Sequence, residues 1–131
     1  MTPELYAEFF ARHESMDLTS VFGTFTPAPR VVRAGQYTDS GSSLPAKTSS
    51  WTLRIGPKHC YDFEPLIDEL LGILRPRKAQ INKAAKQYDL TLSFLMWGYI
   101  EDAAPAMGLT HQHIKEMQTY YHANVGFDLI L

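Results

Sequence analysis

In the stretch Leu90-Thr91-Leu92-Ser93-Phe94-Leu95-Met96-Trp97, the side chains Leu90, Leu92, Phe94 and Met96 alternate with Thr91, Ser93, Leu95 and Trp97. A repeat of two belongs to a β-strand, whose successive side chains point to opposite faces of a sheet. One row therefore joins a core and the other faces away from it. The same alternation sets Leu5, Ala7, Phe9 and Ala11 against Tyr6, Glu8, Phe10 and Arg12. It sets Trp51, Leu53 and Ile55 against Thr52 and Arg54, and it recurs in Val125, Phe127, Leu129 and Leu131. Residues 31–35 read as a short strand, and Gly56-Pro57 is expected to stop the strand that carries Trp51.

Between these strands the spacing turns helical. Asp17 suits an N-cap, because its carboxylate can accept a bond from an orphan backbone N–H. Leu18, Val21 and Phe22 follow at helical spacing, and Gly23 is placed to end that short helix in a left-handed conformation. The longest helical region opens near Tyr61 or Asp62, with Phe63, Leu66, Ile67, Leu70, Leu71 and Leu74 as its apolar stripe. Pro65 fits only a first turn, and Pro76 predicts a break. Ile81, Ala84, Ala85 and Tyr88 continue the stripe, with Lys78, Lys83 and Lys86 on the wet side. After a loop over Pro105–Gly108, Thr110 can cap a helix carrying Ile114, Met117, Tyr120 and Tyr121. Thr26-Pro27-Ala28-Pro29 is a stiff connector. Residues 37–50, rich in Ser, Thr and Gly, read as a mobile loop with little to bury.

The resulting order is β-α-β-β-α-β-α-β. The economical packing is one α+β domain over residues 1–131, with a mainly antiparallel five-stranded sheet and helices on one face. A chain of 131 residues, 45% hydrophobic and 20% charged, is the size and composition of a self-sustaining core. Its net charge of −2, with no basic stripe in the sequence, argues against a dedicated nucleic-acid binder. The single cysteine, Cys60, excludes an intrachain disulfide and fits a reducing compartment. Residues 1–8 lack a basic region followed by an apolar run, and no stretch is long enough to be a spanning helix. A cytoplasmic location, with no membrane partner, is expected.

Over residues 3–131 the sequence resembles a bacterial family known as domain of unknown function 4279. The resemblance is carried by Asp17-Leu18-Thr19-Ser20-Val21-Phe22-Gly23, by Arg33-Ala34-Gly35 and by Ser49-Ser50-Trp51-Thr52-Leu53. It continues through Leu74-Arg75-Pro76-Arg77, Leu109-Thr110 and the segment Val125 to Leu131. Phe22 departs from the leucine usual before that glycine, which is a change of core volume. The resemblance brings no agreed catalytic residues. Small domains of this sort are often encoded beside secreted-toxin genes as immunity proteins, so it implies a protein partner of that class.

Few residues suggest chemistry of their own. His111 and His113, two apart, would point about 200° from each other on a helix, whereas metal-binding histidines want a spacing of three or four. His59-Cys60 lacks an orienting third group, and Lys58 beside the thiol is opposed by Asp62. Glu101-Asp102, next to Ala103, Ala104 and Pro105, read as an exposed turn. No phosphate loop, nucleophile elbow or dinucleotide motif is present. No catalytic residue, cofactor or metal is therefore expected.

The informative feature is the sheet face away from the helices. Strand parity assigns to it Tyr6, Glu8, Phe10, Arg12, Thr52, Arg54, Leu95, Trp97, Tyr99, Asp128 and Ile130. Aromatic and Arg side chains are the residue types that anchor protein interfaces. The expected function is non-enzymatic protein binding, an immunity protein that occludes a toxin, with Glu8, Glu14, Glu101 and Asp128 drawing basic groups of the partner. Other readings are a small-ligand binder or enzyme using a cleft between the sheet and the 37–50 loop, and a homodimer pairing sheet faces. An RNA platform is disfavoured by the missing basic stripe.

Overall fold

The computed structural model describes residues 2–37, 44–99 and 111–130. Its strands are β1 (Glu4–His13), β2 (Arg30–Val32), β3 (Ser49–His59), β4 (Thr91–Tyr99) and β5 (Asn124–Ile130). The helices are α1 (Glu64–Leu74), α2 (Lys78–Tyr88) and α3 (His111–Lys115). A 3-10 turn over Arg75–Arg77 joins α1 to α2, and a π-turn over Glu116–Tyr120 follows α3. The five strands form one sheet in the order β2-β3-β1-β4-β5.

The expected parity holds in β1, β3 and β4, whereas in β5 Phe127 of the expected inward row is exposed. Leu5, Ala7, Phe9 and Ala11 of β1 are fully buried, as are Trp51 and Leu53 of β3 and, nearly so, Phe94 and Met96 of β4. Leu66, Ile67, Leu70, Leu71 and Leu74 of α1 close over that face. Phe9 stands at the centre, its ring centroid 5.0 Å from Phe94, 6.1 Å from Trp51 and Tyr121, and 6.3 Å from Phe22. Such tilted and edge-on aromatic pairs add specificity to simple burial.

Several expectations are corrected. β4 and β5 run parallel, so the sheet is mixed. Residues 100–123 carry the chain from the end of β4 back to its start, and a crossover of that length with a helix in it delivers a parallel neighbour. Residues 17–23 form turns in place of a helix. The Asp17 carboxylate accepts from the backbone N–H of Thr19 at 3.0 Å and from its hydroxyl at 2.6 Å, a local arrangement that competes with helix nucleation. Gly23 does take the left-handed conformation, with φ 84°. The early strand is confined to Arg30–Val32. Tyr88 and Ile114, assigned to apolar stripes, are exposed.

β3 does not stop at Gly56-Pro57. It continues to His59, because an extra residue is absorbed where Leu5 pairs with Lys58 and Ala7 with Ile55. A bulge tolerates a proline without an N–H. Gly56 has φ 113°, and a Cβ there would stand 2.6 Å from the Leu5 carbonyl oxygen. The other end of β3 begins earlier than expected, since Ser49 is buried and its hydroxyl accepts from the Ala34 N–H at 2.9 Å. Of the loop before it, residues 38–43 lie outside the described residues. Ala46 is held by backbone hydrogen bonds with Gly35 and Gln36. The break at Pro76 is present as the 3-10 turn. The Pro105–Gly108 loop and the Thr110 cap lie outside the described residues.

The segment after α3 is docked by charge. Arg75 meets Glu116 through two parallel hydrogen bonds of 2.9 Å, and the Glu116 side chain is only 8% exposed. Arg75→Met would leave that carboxylate buried without its cation. The expected loss is about 2 kcal/mol, below the usual cost of a fully buried pair because the guanidinium is half exposed. Urea denaturation checks this, and an unchanged midpoint would contradict it.

Tyr121 supplies a pH-dependent term. Its hydroxyl is buried with no hydrogen-bond partner among the described residues. Desolvation, helped by the Glu116 charge, pushes its pKa up to about 12 from an ordinary 10.0. Between those values the unfolded chain gives up the proton and the folded chain keeps it, so this term erodes stability as pH rises from 10 to 12. Tyr121→Phe is expected to fold at least as stably at neutral pH, with a gain of up to about 1 kcal/mol. It should also lose less stability than wild type across that alkaline window in melts run at a series of pH values.

Candidate functional site

No helix covers the second face of the sheet among the described residues. β1, central in the sheet, offers Tyr6, Glu8, Phe10 and Arg12 to it. The pairings Tyr6 with Trp97, Glu8 with Leu95 and with Arg54, and Phe10 with Thr52 place β3 and β4 side chains alongside. Tyr99 lies opposite Glu4, and Asp128 and Ile130 of β5 lie beside Trp97 and Tyr99. Every described residue assigned to this face from strand parity lies on it. Glu101 lies outside the described residues, and Glu14 lies beyond the end of β1.

Part of the face is a tightly built cluster. The rings of Tyr6 and Trp97 stack at 4.0 Å with an interplanar angle of 7°. Tyr99 meets Trp97 edge-on at 5.7 Å. The Arg54 guanidinium lies 5.5 Å from the Tyr6 ring centre and 5.3 Å from that of Trp97, within cation–π reach of both. Its Nε donates to the Glu8 carboxylate at 2.6 Å, and the Glu8 side chain is 10% exposed. The Tyr6 hydroxyl donates to Glu4, and this bond is the first cause of a raised Tyr6 pKa. The Trp97 indole N–H is buried without a partner among the described residues. Cross-strand neighbours thus hold one another's rotamers on an otherwise open surface.

Beside the cluster the face is concave. A cavity of about 490 Å³ lies between the sheet and the connections before β2 and β3. Arg12, Arg54 and Glu8 share its floor with Ser50, Thr52, Arg30 and Val32, and Ala28, Ala46, Lys47 and Thr48 form its wall. Sequence reasoning found Arg12, Glu8 and Arg54. It missed Arg30 and Lys47, whose only signal was that Arg30 precedes a short strand and Lys47 a long one.

The other candidates come apart or find structural partners. The Cys60 thiol approaches the carbonyl oxygens of Asp62 at 3.3 Å and Lys58 at 4.0 Å, and among the described residues it forms no hydrogen bond with the His59 ring. His113 is buried, with Nε2 2.6 Å from Asp68 Oδ1. The Glu64 carboxylate is nearby, so that ligand atoms of Glu64, Asp68 and His113 all lie within 4.8 Å of one another. These three are the set that could approach one metal ion among the described residues. The hydrogen-bond length between His113 and Asp68 leaves no room for an ion between those two atoms unless they part. The carboxylates stand four apart on α1, a legible spacing, but the histidine comes from a distant helix. The side chain of His111, and Glu101 and Asp102, lie outside the described residues.

The fold and this surface define a class: an α+β domain with one sheet face roofed by helices and the other bearing a preorganised aromatic–arginine cluster beside a concavity. The chain belongs to the family described as Domain of unknown function (DUF4279), which matches over residues 3–131. No curated protein and no solved structure matches it. No helix among the described residues is long and apolar enough to cross a membrane.

The Glu8–Arg54 contact can be measured directly. A double-mutant cycle of Glu8→Gln and Arg54→Met should give a coupling of about 1 kcal/mol, the upper end for a partly exposed pair, because the carboxylate is buried. Additive single effects would show that the pair does not order the cluster.

Proposed function

We propose that this protein is a non-enzymatic binding module that receives a partner protein on the helix-free face of its sheet. The observation that carries the reading is the Tyr6–Trp97–Arg54–Glu8 cluster. An aromatic pair already stacked and an arginine already fixed lose little further freedom when a partner seats on them. Rigid strands position the group, so the surface is set before contact. Occlusion of a partner's own site requires only such a surface and no chemistry. A bacterial toxin as the partner, with this chain as its immunity protein, is the implication of the family resemblance; the face supports binding and the resemblance supplies the partner class.

A small-ligand binder is a second reading, favoured by the polar side chains that line the concavity between sheet and loop. A face-to-face homodimer has less support. A twofold through the concavity would set Arg12, Arg30 and Lys47 of one copy against the same residues of the other.

The test is protection in cells. The chain would be co-expressed with a toxin encoded next to it, as wild type, as Trp97→Ala, as Arg54→Ala and as Lys83→Ala on the wet side of α2. Wild type and Lys83→Ala should protect. Trp97→Ala and Arg54→Ala, checked for folding by circular dichroism, should lose protection, with binding weakened by about 2 kcal/mol each, as for interface anchors. Full protection by both face variants would remove the reading.

A further inference from the structure

We infer that the concavity on the sheet face recognises carboxylate side chains, so that the partner presents an acidic segment there. The inference rests on reading the helix-free face as the binding face, and it specifies the chemistry of what docks. Four basic side chains, Arg12, Arg30, Lys47 and Arg54, line the cavity against one carboxylate, Glu8, an excess of three positive charges in a chain of net charge −2. Glu8 is already committed to Arg54 at 2.6 Å. Arg12, Arg30 and Lys47 form no ion pair among the described residues, and all three are exposed. The remaining cations therefore converge on the cavity with no ion-pair partner among the described residues, and an anion entering it relieves their mutual repulsion. The sign is opposite to that expected from rim carboxylates drawing basic groups.

Two features favour a protein carboxylate over nucleic acid. The facing surfaces of Tyr6 and Trp97 are already stacked on each other, which takes one face of each ring from a base that would lie there in the manner of single-strand binders. The basic groups are also confined to one cavity of about 490 Å³ and form no long stripe that could track a phosphate backbone. Arg54 belongs both to the cavity and to the aromatic cluster. One acidic segment with an apolar neighbour can therefore engage both at once. The guanidinium forks of Arg12 and Arg30 offer planar, paired N–H donors that match a carboxylate.

The experiment uses a fluorescein-labelled hexaglutamate peptide, titrated with the full chain and followed by anisotropy. Hexalysine, an oligothymidylate and pyrophosphate serve as comparison probes. Hexaglutamate should bind saturably, more weakly as ionic strength rises toward about 0.15 M, while hexalysine should not bind. Arg30→Gln/Lys47→Gln should weaken binding at least about tenfold, and Arg30→Glu/Lys47→Glu should abolish it. Both changes are at exposed positions, and circular dichroism confirms the fold. No binding of hexaglutamate, equal binding by the double variants, or tighter binding of oligothymidylate or pyrophosphate would each overturn the inference. In the protection assay, a Trp97→Ala variant that fails while Arg30→Glu/Lys47→Glu still protects would overturn the acidic-segment inference alone. Protection by both would overturn the face reading as well.

Discussion

Phe9, in the middle of the central strand, is closed on by Phe22, Trp51, Phe94 and Tyr121 from four separate stretches of the chain. Aromatic packing of this kind fixes which side of β1 is inside. The pleat then leaves no choice for its neighbours: Glu8 and Phe10 must face the other way. Through the paired registers the same parity passes to β3 and β4 and brings Arg54, Trp97 and Leu95 to the outer face. The proposed binding surface is thus the geometrical complement of the core. A one-residue slip in β1 would bury Glu8 and Arg12 under α1 and destroy both at once.

On that outer face the side chains order each other. A lone stacked pair of rings on an open sheet keeps much of its rotamer freedom. Here Arg54 lies beside both rings while its Nε is held by Glu8, and Tyr99 meets the indole edge-on. The electrostatics follow from the same contacts. Because Glu8 is used within the cluster, the concavity next to it carries the charge of Arg12, Arg30 and Lys47, which form no ion pair among the described residues.

The helical side uses charge differently. Arg75 with Glu116 and Asp68 with His113 join α1 and the turn after it to the segment that leads into β5. These pairs hold the crossover against the helices, and that crossover makes β5 run parallel to β4. Polar groups buried here serve assembly, whereas Arg12, Arg30 and Lys47 on the open face are exposed.

Local pattern alone determined the strands, the outward set from Tyr6 to Asp128, the long helical region with its break at Pro76, and the one-sided helical layer. These rest on side-chain repeats and on proline's missing N–H, which act within a few residues. Tertiary structure alone decided the parallel direction of β5 and the bulge that carries β3 past Gly56-Pro57. It also decided the meeting of His113 with Asp68 and the convergence of Arg30 and Lys47 on Arg12 and Arg54. Each of these depends on which distant segment lies alongside, a matter of strand order and crossover length. Charge at a site is a sum over such neighbours, so a chain that is slightly acidic as a whole can build a basic cavity that no local run of residues announces.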